Sequence, residues 1–192
     1  FTSISTKKSV ELIRQAKKKG LQVTCSVTPY HLLYTDDQLN TYDSTFKVNP
    51  PLRCEEDRLA LIKGIEDGTI DCITSHHFPQ DWDAKHVEFE YAKSGMIGLQ
   101  TVLPMLLKVS DKISLEKWVF MLTEAPRKIL GIEAPSIKEN EAACLTVFYT
   151  EATWIFNESS NQSLSANSPL FNQTLKGKVL ALINNNMIST NE

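Results

Sequence analysis

The chain has 192 residues, of which 42% are hydrophobic, so it is long enough to bury one sizeable core and is expected to be globular. Its 20 basic and 23 acidic residues give a net charge of −3, which provides no strong field for nucleic acid, and no apolar run approaches the length of a membrane-spanning helix. We therefore predict neither a nucleic-acid partner nor a membrane partner.

The first part of the chain carries a helix signal, a strand signal and a long irregular segment. Ser5 or Thr6 can cap a helix that ends at Gly20. The apolar run at residues 21–28 predicts a short buried strand that stops at a proline. Residues 30–51 lack periodicity, which is typical of a functional loop rather than a simple connection.

A second helix and a second strand follow this loop. Residues 54–67 have helical spacing, and Gly68 is a helix C-terminal signal. Residues 70–80 form an apolar, β-branched run that leads into His76 and His77, which predicts a buried strand with imidazoles at its carboxyl end. This alternation of helix and strand is typical of parallel α/β units. In barrel enzymes the active site lies at the carboxyl ends of the strands.

The remainder of the chain changes from helical to β patterning. An acidic, aromatic loop at residues 81–91 precedes an apolar helix within 99–109 and two shorter helices that begin near Ser114 and Pro126. From Ile137 onward the alternation predicts strands, and residues 184–186 (three asparagines) predict a hairpin turn.

The cysteines indicate the cellular compartment. They show no close spacing that would suggest a pair, and two of them lie inside strand-like apolar runs; the four are Cys25, Cys54, Cys72 and Cys144. Buried free thiols fit a reducing environment best, so we predict a cytoplasmic protein.

Several motifs, taken in their order along the chain, resemble the C-terminal half of dihydroorotase, an enzyme of the amidohydrolase superfamily. The matching blocks are Ile4-Ser5-Thr6, Val27-Thr28-Pro29-Tyr30-His31-Leu32, Lys47-Val48-Asn49-Pro50-Pro51-Leu52-Arg53 and the segment from Asp71 to Gln80. The third block matches the family pattern residue for residue. The order of the blocks makes a chance match improbable.

The resemblance implies an α/β fold, namely the C-terminal part of a (β/α)8 TIM barrel from the end of strand six to strand eight. That part would occupy residues 1–134, and residues 135–192 would be a β-rich segment of the small composite sandwich domain. Two strands and a strand remnant cannot close a barrel alone. We therefore expect the N-terminal half of the same barrel as a partner.

Departures from the family pattern fall on residues that the resemblance assigns to zinc and substrate. Ser3 stands where the family has a zinc-binding histidine, and a neutral hydroxyl is a poor zinc ligand. His76 replaces an aspartate that binds metal and acts as general base, so it is the candidate catalytic residue. Gln80 replaces a histidine that helps to hold the substrate carboxylate, while Asn49, used for the pyrimidine ring, is retained. We expect zinc to be absent or weakly held.

Two hypotheses about function follow. The first is a non-catalytic, structural dihydroorotase-like protein of pyrimidine biosynthesis, homo-oligomeric and a partner of aspartate transcarbamoylase, because metal hydrolysis needs all its parts together. The alternative is an active zinc-dependent hydrolase that interconverts dihydroorotate and N-carbamoyl-aspartate with shifted ligands. In either case His77 should face away from His76, since neighbours on a strand alternate, and His31 should orient backbone rather than bind metal.

Overall fold

The computed structural model describes residues 1–109, 113–185 and 187–191, in which helices and strands alternate before a β-rich end. The helices are α1 (Lys7–Lys18), α2 (Pro29–Leu33), α3 (Glu55–Glu66), α4 (Trp82–Lys85), α5 (Val102–Val109), α6 (Leu115–Leu122) and α7 (Glu124–Leu130). The strands are β1 (Ser26–Val27), β2 (Cys72–Ile73), β3 (Cys144–Phe156), β4 (Gln173–Asn184) and β5 (Met187–Thr190). The prediction of a mixed α/β chain is confirmed.

Three extended segments lie side by side and position the candidate site. β1 and β2 pair in parallel, with Ser26 opposite Cys72. Residues 1–4 run along the other side of β1, because Ser26 donates its N–H to the Phe1 carbonyl (3.0 Å) and Ile4 donates to the Ser26 carbonyl (2.9 Å). The carboxyl ends of all three segments therefore meet at one edge.

The helices that flank this edge form where the sequence predicts them. Thr6 caps α1 by accepting the N–H of Ser9, and α1 buries Val10 and Ile13. Buried residues from the extended segments, from α1, α2, α3, α5 and α6 and from adjoining turns form the first core: Ile4, Val10, Ile13, Cys25, Val27, Leu32, Leu61, Ile62, Ile65, Ile70, Ile73, Leu106, Ile113, Trp118 and Met121.

The strands are shorter than the sequence predicts. The predicted strand 21–28 pairs only through Ser26–Val27, and the predicted strand 70–80 pairs only through Cys72–Ile73. The second run leaves the extended conformation at His76, whose φ is 44°. The prediction that the strand runs to Gln80 is therefore wrong.

Two predicted loops contain helix. Residues 30–51 include most of α2 and 3-10 turns at Asp36–Thr41 and Ser44–Phe46. Thr28 followed by Pro29 is a signal for the start of α2, because it places an N-cap hydroxyl before a first-turn proline. The sequence-based prediction used this proline only as the end of a strand. Likewise α4 interrupts the predicted loop 81–91.

The C-terminal strands form an antiparallel sheet in the order β3-β4-β5. Ile183 pairs with Ile188, so the predicted hairpin arm is confirmed, while Asn186 of the predicted turn lies outside the described residues. A second core joins this sheet to α2, α5 and the intervening loops: Tyr30, Val48, Leu52, Met96, Ile97, Met105, Phe156, Leu170 and Leu175. The domain boundary at 134/135 stays a prediction.

Exposure corrects two further expectations. The helical spacing of Leu115, Trp118 and Leu122 predicts that they are core residues; Trp118 of α6 is 3% exposed and fits, but Leu122 is 36% exposed and does not belong to the core. The four cysteines are free, yet Cys54 and Cys144 are exposed rather than buried. Within the described ranges, no helix combines the length and apolar character needed to cross a membrane.

Candidate functional site

Ser3 lies at the end of the first extended segment and is 2% exposed. Its backbone has a φ of 54°, and its N–H donates to the Ser26 hydroxyl at 3.1 Å. Its own hydroxyl contacts the Thr2 hydroxyl at 3.3 Å. The position that the resemblance assigns to a zinc-binding histidine is therefore part of a small hydroxyl network.

His76 lies at the carboxyl end of the β2 segment and bonds to a residue of α2. Its Nδ1 is 2.8 Å from the phenol oxygen of Tyr30, a residue that is fully buried. Burial raises the pKa of Tyr30, so the phenol stays protonated at neutral pH. A hydroxyl can donate to Nδ1 or accept from it, so this bond engages one of the two ring nitrogens of His76 without fixing the tautomer.

His31 orients the loop that carries the Lys-Val-Asn-Pro-Pro-Leu-Arg motif. It is 2% exposed, and its ring lies between the Thr28 hydroxyl at Nδ1 (2.7 Å) and the Pro50 carbonyl at Nε2 (3.0 Å). Since a carbonyl only accepts, Nε2 carries the proton and Nδ1 accepts from Thr28. Burial lowers the pKa of His31 to about 4, which keeps the ring neutral.

Asn49 is exposed next to the Pro50 that His31 holds. Among the hydrogen bonds of the described residues, none involves the Asn49 amide, so its polar atoms face solvent. Lys47 in the same loop donates to the carbonyls of Phe89 (2.6 Å) and Glu90 (2.8 Å). Lys47 therefore anchors the loop to the segment after α4.

Gln80 is turned toward backbone. Its side-chain amide donates to the Ser94 carbonyl at 2.9 Å, and its backbone carbonyl accepts from the Ser165 hydroxyl. Gly95 permits this close packing, because its φ is 148° and a Cβ there would lie 2.6 Å from the Phe78 carbonyl. The amide is thus partly occupied by the protein's own backbone.

His77 and His76 have different partners, although the chain is no longer an extended strand at His76 and strand alternation is therefore not the reason. Its Nδ1 accepts the N–H groups of Gly98 (3.1 Å) and Leu99 (3.3 Å), and burial lowers its pKa. The two adjacent histidines consequently belong to different surroundings, and His77 holds the chain that leads into α5.

Lys85 is a buried group that the sequence analysis missed. It is 3% exposed, and its ammonium donates to the carbonyls of Lys93 (3.0 Å), Gly95 (3.1 Å) and, at 3.4 Å, Lys47. In the sequence it sits between Asp83-Ala84 and His86, which reads as a solvated turn, so no local signal could have revealed it.

The residues that this chain brings to the strand ends do not fit a zinc ion. Zinc is held by imidazole, thiolate or carboxylate, and Ser3 offers only a hydroxyl already engaged with Thr2. The Nδ1 of His76 is already engaged with the Tyr30 hydroxyl at 2.8 Å. Throughout residues 1–109, 113–185 and 187–191, no group of three or more His, Cys, Asp or Glu side chains could hold a metal.

The arrangement of these segments is found in solved barrel hydrolases. The L-hydantoinase (dihydropyrimidinase) from Arthrobacter aurescens superposes with a TM-score of 0.88 at 27% identity, covering 98% of this chain and 44% of that one. The inactive dihydroorotase-like domain of the Chaetomium thermophilum CAD-like multifunctional protein superposes with a TM-score of 0.69 at 21% identity, covering 97% and 49%, and shows the fold alone. The fold is that of part of an amidohydrolase-type α/β barrel.

Sequence similarity defines the relationship further. Dihydroorotase from Aquifex aeolicus is 43% identical over 182 residues, 94% of this chain, and dihydroorotase from Ehrlichia chaffeensis is 39% identical over the same share. No family model matches the chain. The chain is a relative of the dihydroorotases, which confirms the predicted resemblance. It spans less than half the length of these relatives, 43% and 41% respectively.

Proposed function

We propose that the protein is a dihydroorotase-like component of pyrimidine biosynthesis that does not catalyse zinc-dependent hydrolysis and acts as a structural partner of aspartate transcarbamoylase. The observation that carries the proposal is the hydrogen bond between Tyr30 and His76, 2.8 Å long, together with Ser3 at the end of the first extended segment. Tyr30 engages one ring nitrogen of His76, and Ser3 offers a hydroxyl where zinc would need an imidazole.

The chemistry of the replacements supports this function. A zinc site gains its rate from a metal that is held firmly beside a proton carrier, and because these members act as a unit, the loss of even one of them removes most of the rate. In this chain the Ser3 hydroxyl replaces one ligand. The His76 imidazole, bonded to the buried phenol of Tyr30, replaces the base. The Gln80 amide brings no positive charge for a substrate carboxylate.

The proposed assembly completes the barrel. In it, residues 1–134 supply the end of strand six, strands seven and eight and their helices, and β3, β4 and β5 join the composite sandwich. Apolar side chains on this sheet support the latter, since Val147 is 44% exposed, Ile155 54% and Leu182 50%. The rest of the same barrel, and further copies in a homo-oligomer, would cover such surface in the cytoplasm.

Metal content and turnover test the proposal. The full-length protein, purified in zinc-containing medium, should hold substoichiometric zinc by mass spectrometry and should not convert dihydroorotate. The triple variant Ser3→His, Tyr30→His, His76→Asp should bind more zinc than the wild type, whereas Ser9→His, outside the strand ends, should not. Stoichiometric wild-type zinc with dihydroorotate turnover would overturn the proposal. Co-purification with aspartate transcarbamoylase tests the partner separately.

A second candidate function is an active cyclic amide hydrolase with shifted ligands. It is favoured by Asn49, which keeps its motif unchanged and faces solvent at the same edge. In that case His76→Ala should eliminate turnover, while His86→Ala, an exposed histidine outside the strand ends, should leave it unchanged. Equal turnover in both variants would remove this candidate.

A further inference from the structure

The ammonium group of Lys85 is matched to its surroundings in the charged form. It points at three carbonyl oxygens, those of Lys47 (3.4 Å), Lys93 (3.0 Å) and Gly95 (3.1 Å). An ammonium has three N–H donors and no acceptor, so each carbonyl can receive one proton. A neutral amine has two donors and a lone pair, so one of the three carbonyls would no longer receive a proton from Lys85.

The carbonyls belong to the two segments that carry the candidate substrate contacts. Lys47 precedes Asn49 by two residues, and its carbonyl also accepts the N–H of Gly95 at 2.9 Å. Next to Gly95, the Ser94 carbonyl accepts the side-chain amide of Gln80. The loop of Asn49 and the support of Gln80 therefore meet at the same buried ammonium.

We propose that Lys85 is a positioning residue, whose buried charge fixes the loop of Asn49 and the segment that holds Gln80, so that both loosen when this charge is removed. The inference goes beyond the proposed function. It concerns the geometry of the loops alone and holds whether or not the site is catalytic.

The charge can be removed under mild conditions. Burial lowers the pKa of Lys85 to about 8, while Asp43 acts to raise it and Lys47 to lower it, both from the loop of Asn49. The other charged side chains on the segments packed around it are exposed to solvent: Asp83, His86, Glu88, Glu90 and Lys93. Exposed charges are screened, so the burial of Lys85 dominates.

Amide hydrogen exchange across a pH series tests the proposal in the full-length protein. The reporters are the N–H groups of Gly95, bonded to the Lys47 carbonyl, and of Lys93, bonded to the Ala84 carbonyl. After correction for the intrinsic pH dependence of exchange, their protection in the wild type should fall about fivefold between pH 7 and 9.5, the factor expected for one lost hydrogen bond. The Thr74 amide, bonded to Val27, is the internal reference and should keep its protection.

Variants separate positioning from general stability. In Lys85→Met the loss of amide protection should already be present at pH 7, and protection should show no further step, that is, no further fall between pH 7 and 9.5. In the matched control Lys93→Met, protection should fall over this pH range as in the wild type. A step that persists in Lys85→Met would overturn the proposal. Should that variant not fold, the wild type decides, because constant protection of Gly95 from pH 7 to 9.5 contradicts the proposal.

Discussion

Lowering the pH from 7 to 4.5 should destabilise the protein through His31. The folded-state pKa of this buried ring is about 4, against 6.5 for an ordinary histidine. Because the pKa is depressed in the folded state, the unfolded chain binds more protons between these two values, and stability falls as the pH drops through that window. At pH 4.5 nearly every unfolded ring is protonated, but only about a quarter of the folded rings are.

The magnitude follows from the two titrations. With each pKa unit equal to about 1.36 kcal/mol, the change from pH 7 to 4.5 should remove about 2 kcal/mol of unfolding free energy through His31 alone. The ring lies in a nearly dry site, so solvent screening does not reduce this figure greatly.

Urea unfolding of the full-length protein at both pH values measures the effect. Carboxylates also titrate in this range, so the quantity to compare is the pH-dependent loss in the wild type minus that in His31→Gln, whose amide can still donate to the Pro50 carbonyl. The exposed His86→Gln is the matched control and should behave as the wild type. Equal losses in the wild type and His31→Gln would refute the reasoning.

Three further substitutions should give distinct results in denaturant unfolding. Tyr30→Phe leaves Nδ1 of His76 without its hydrogen-bond partner and should cost about 1 kcal/mol, and an unchanged midpoint would show that water replaces the phenol. Gly95→Ala should cost about 2 kcal/mol or more, since its φ is 148° and the new Cβ meets the Phe78 carbonyl; a neutral result would mean that this segment moves freely. Trp118→Ala should cost about 3 to 5 kcal/mol, because the indole is 3% exposed in the first core, and a loss below about 1 kcal/mol would contradict that placement.

The order of helices and strands could be predicted because each longer element carries its own periodicity and cap. Thr6 and Ser114 cap the helices that the sequence predicts, and Gly131 ends α7 with a φ of 66°. Short elements have too few residues for a period to show. This is why α2 and α4 were predicted as loop, although the Thr28-Pro29 pair was a usable signal.

The candidate site residues could be chosen from the sequence motifs, but their contacts could not be predicted. The order of the motifs indicates Ser3, His76 and Asn49 as candidate site residues. That His76 bonds to Tyr30 depends on the left-handed backbone at His76 and on the position of α2, which are tertiary facts. The burial of Lys85 likewise arises where the loop of Lys47 meets the segment of Lys93 and Gly95, and no local pattern encodes it.

The second core gives the C-terminal sheet an influence on the site. Tyr30, which holds His76, packs in the same cluster as Phe156 of β3 and Leu175 of β4. Close-packed interiors transmit volume changes to their neighbours. Exchanging the β segment for that of a relative should therefore change the geometry of the phenol–imidazole pair without altering any residue at the strand ends. Natural substitutions in that segment can act on the site in the same way.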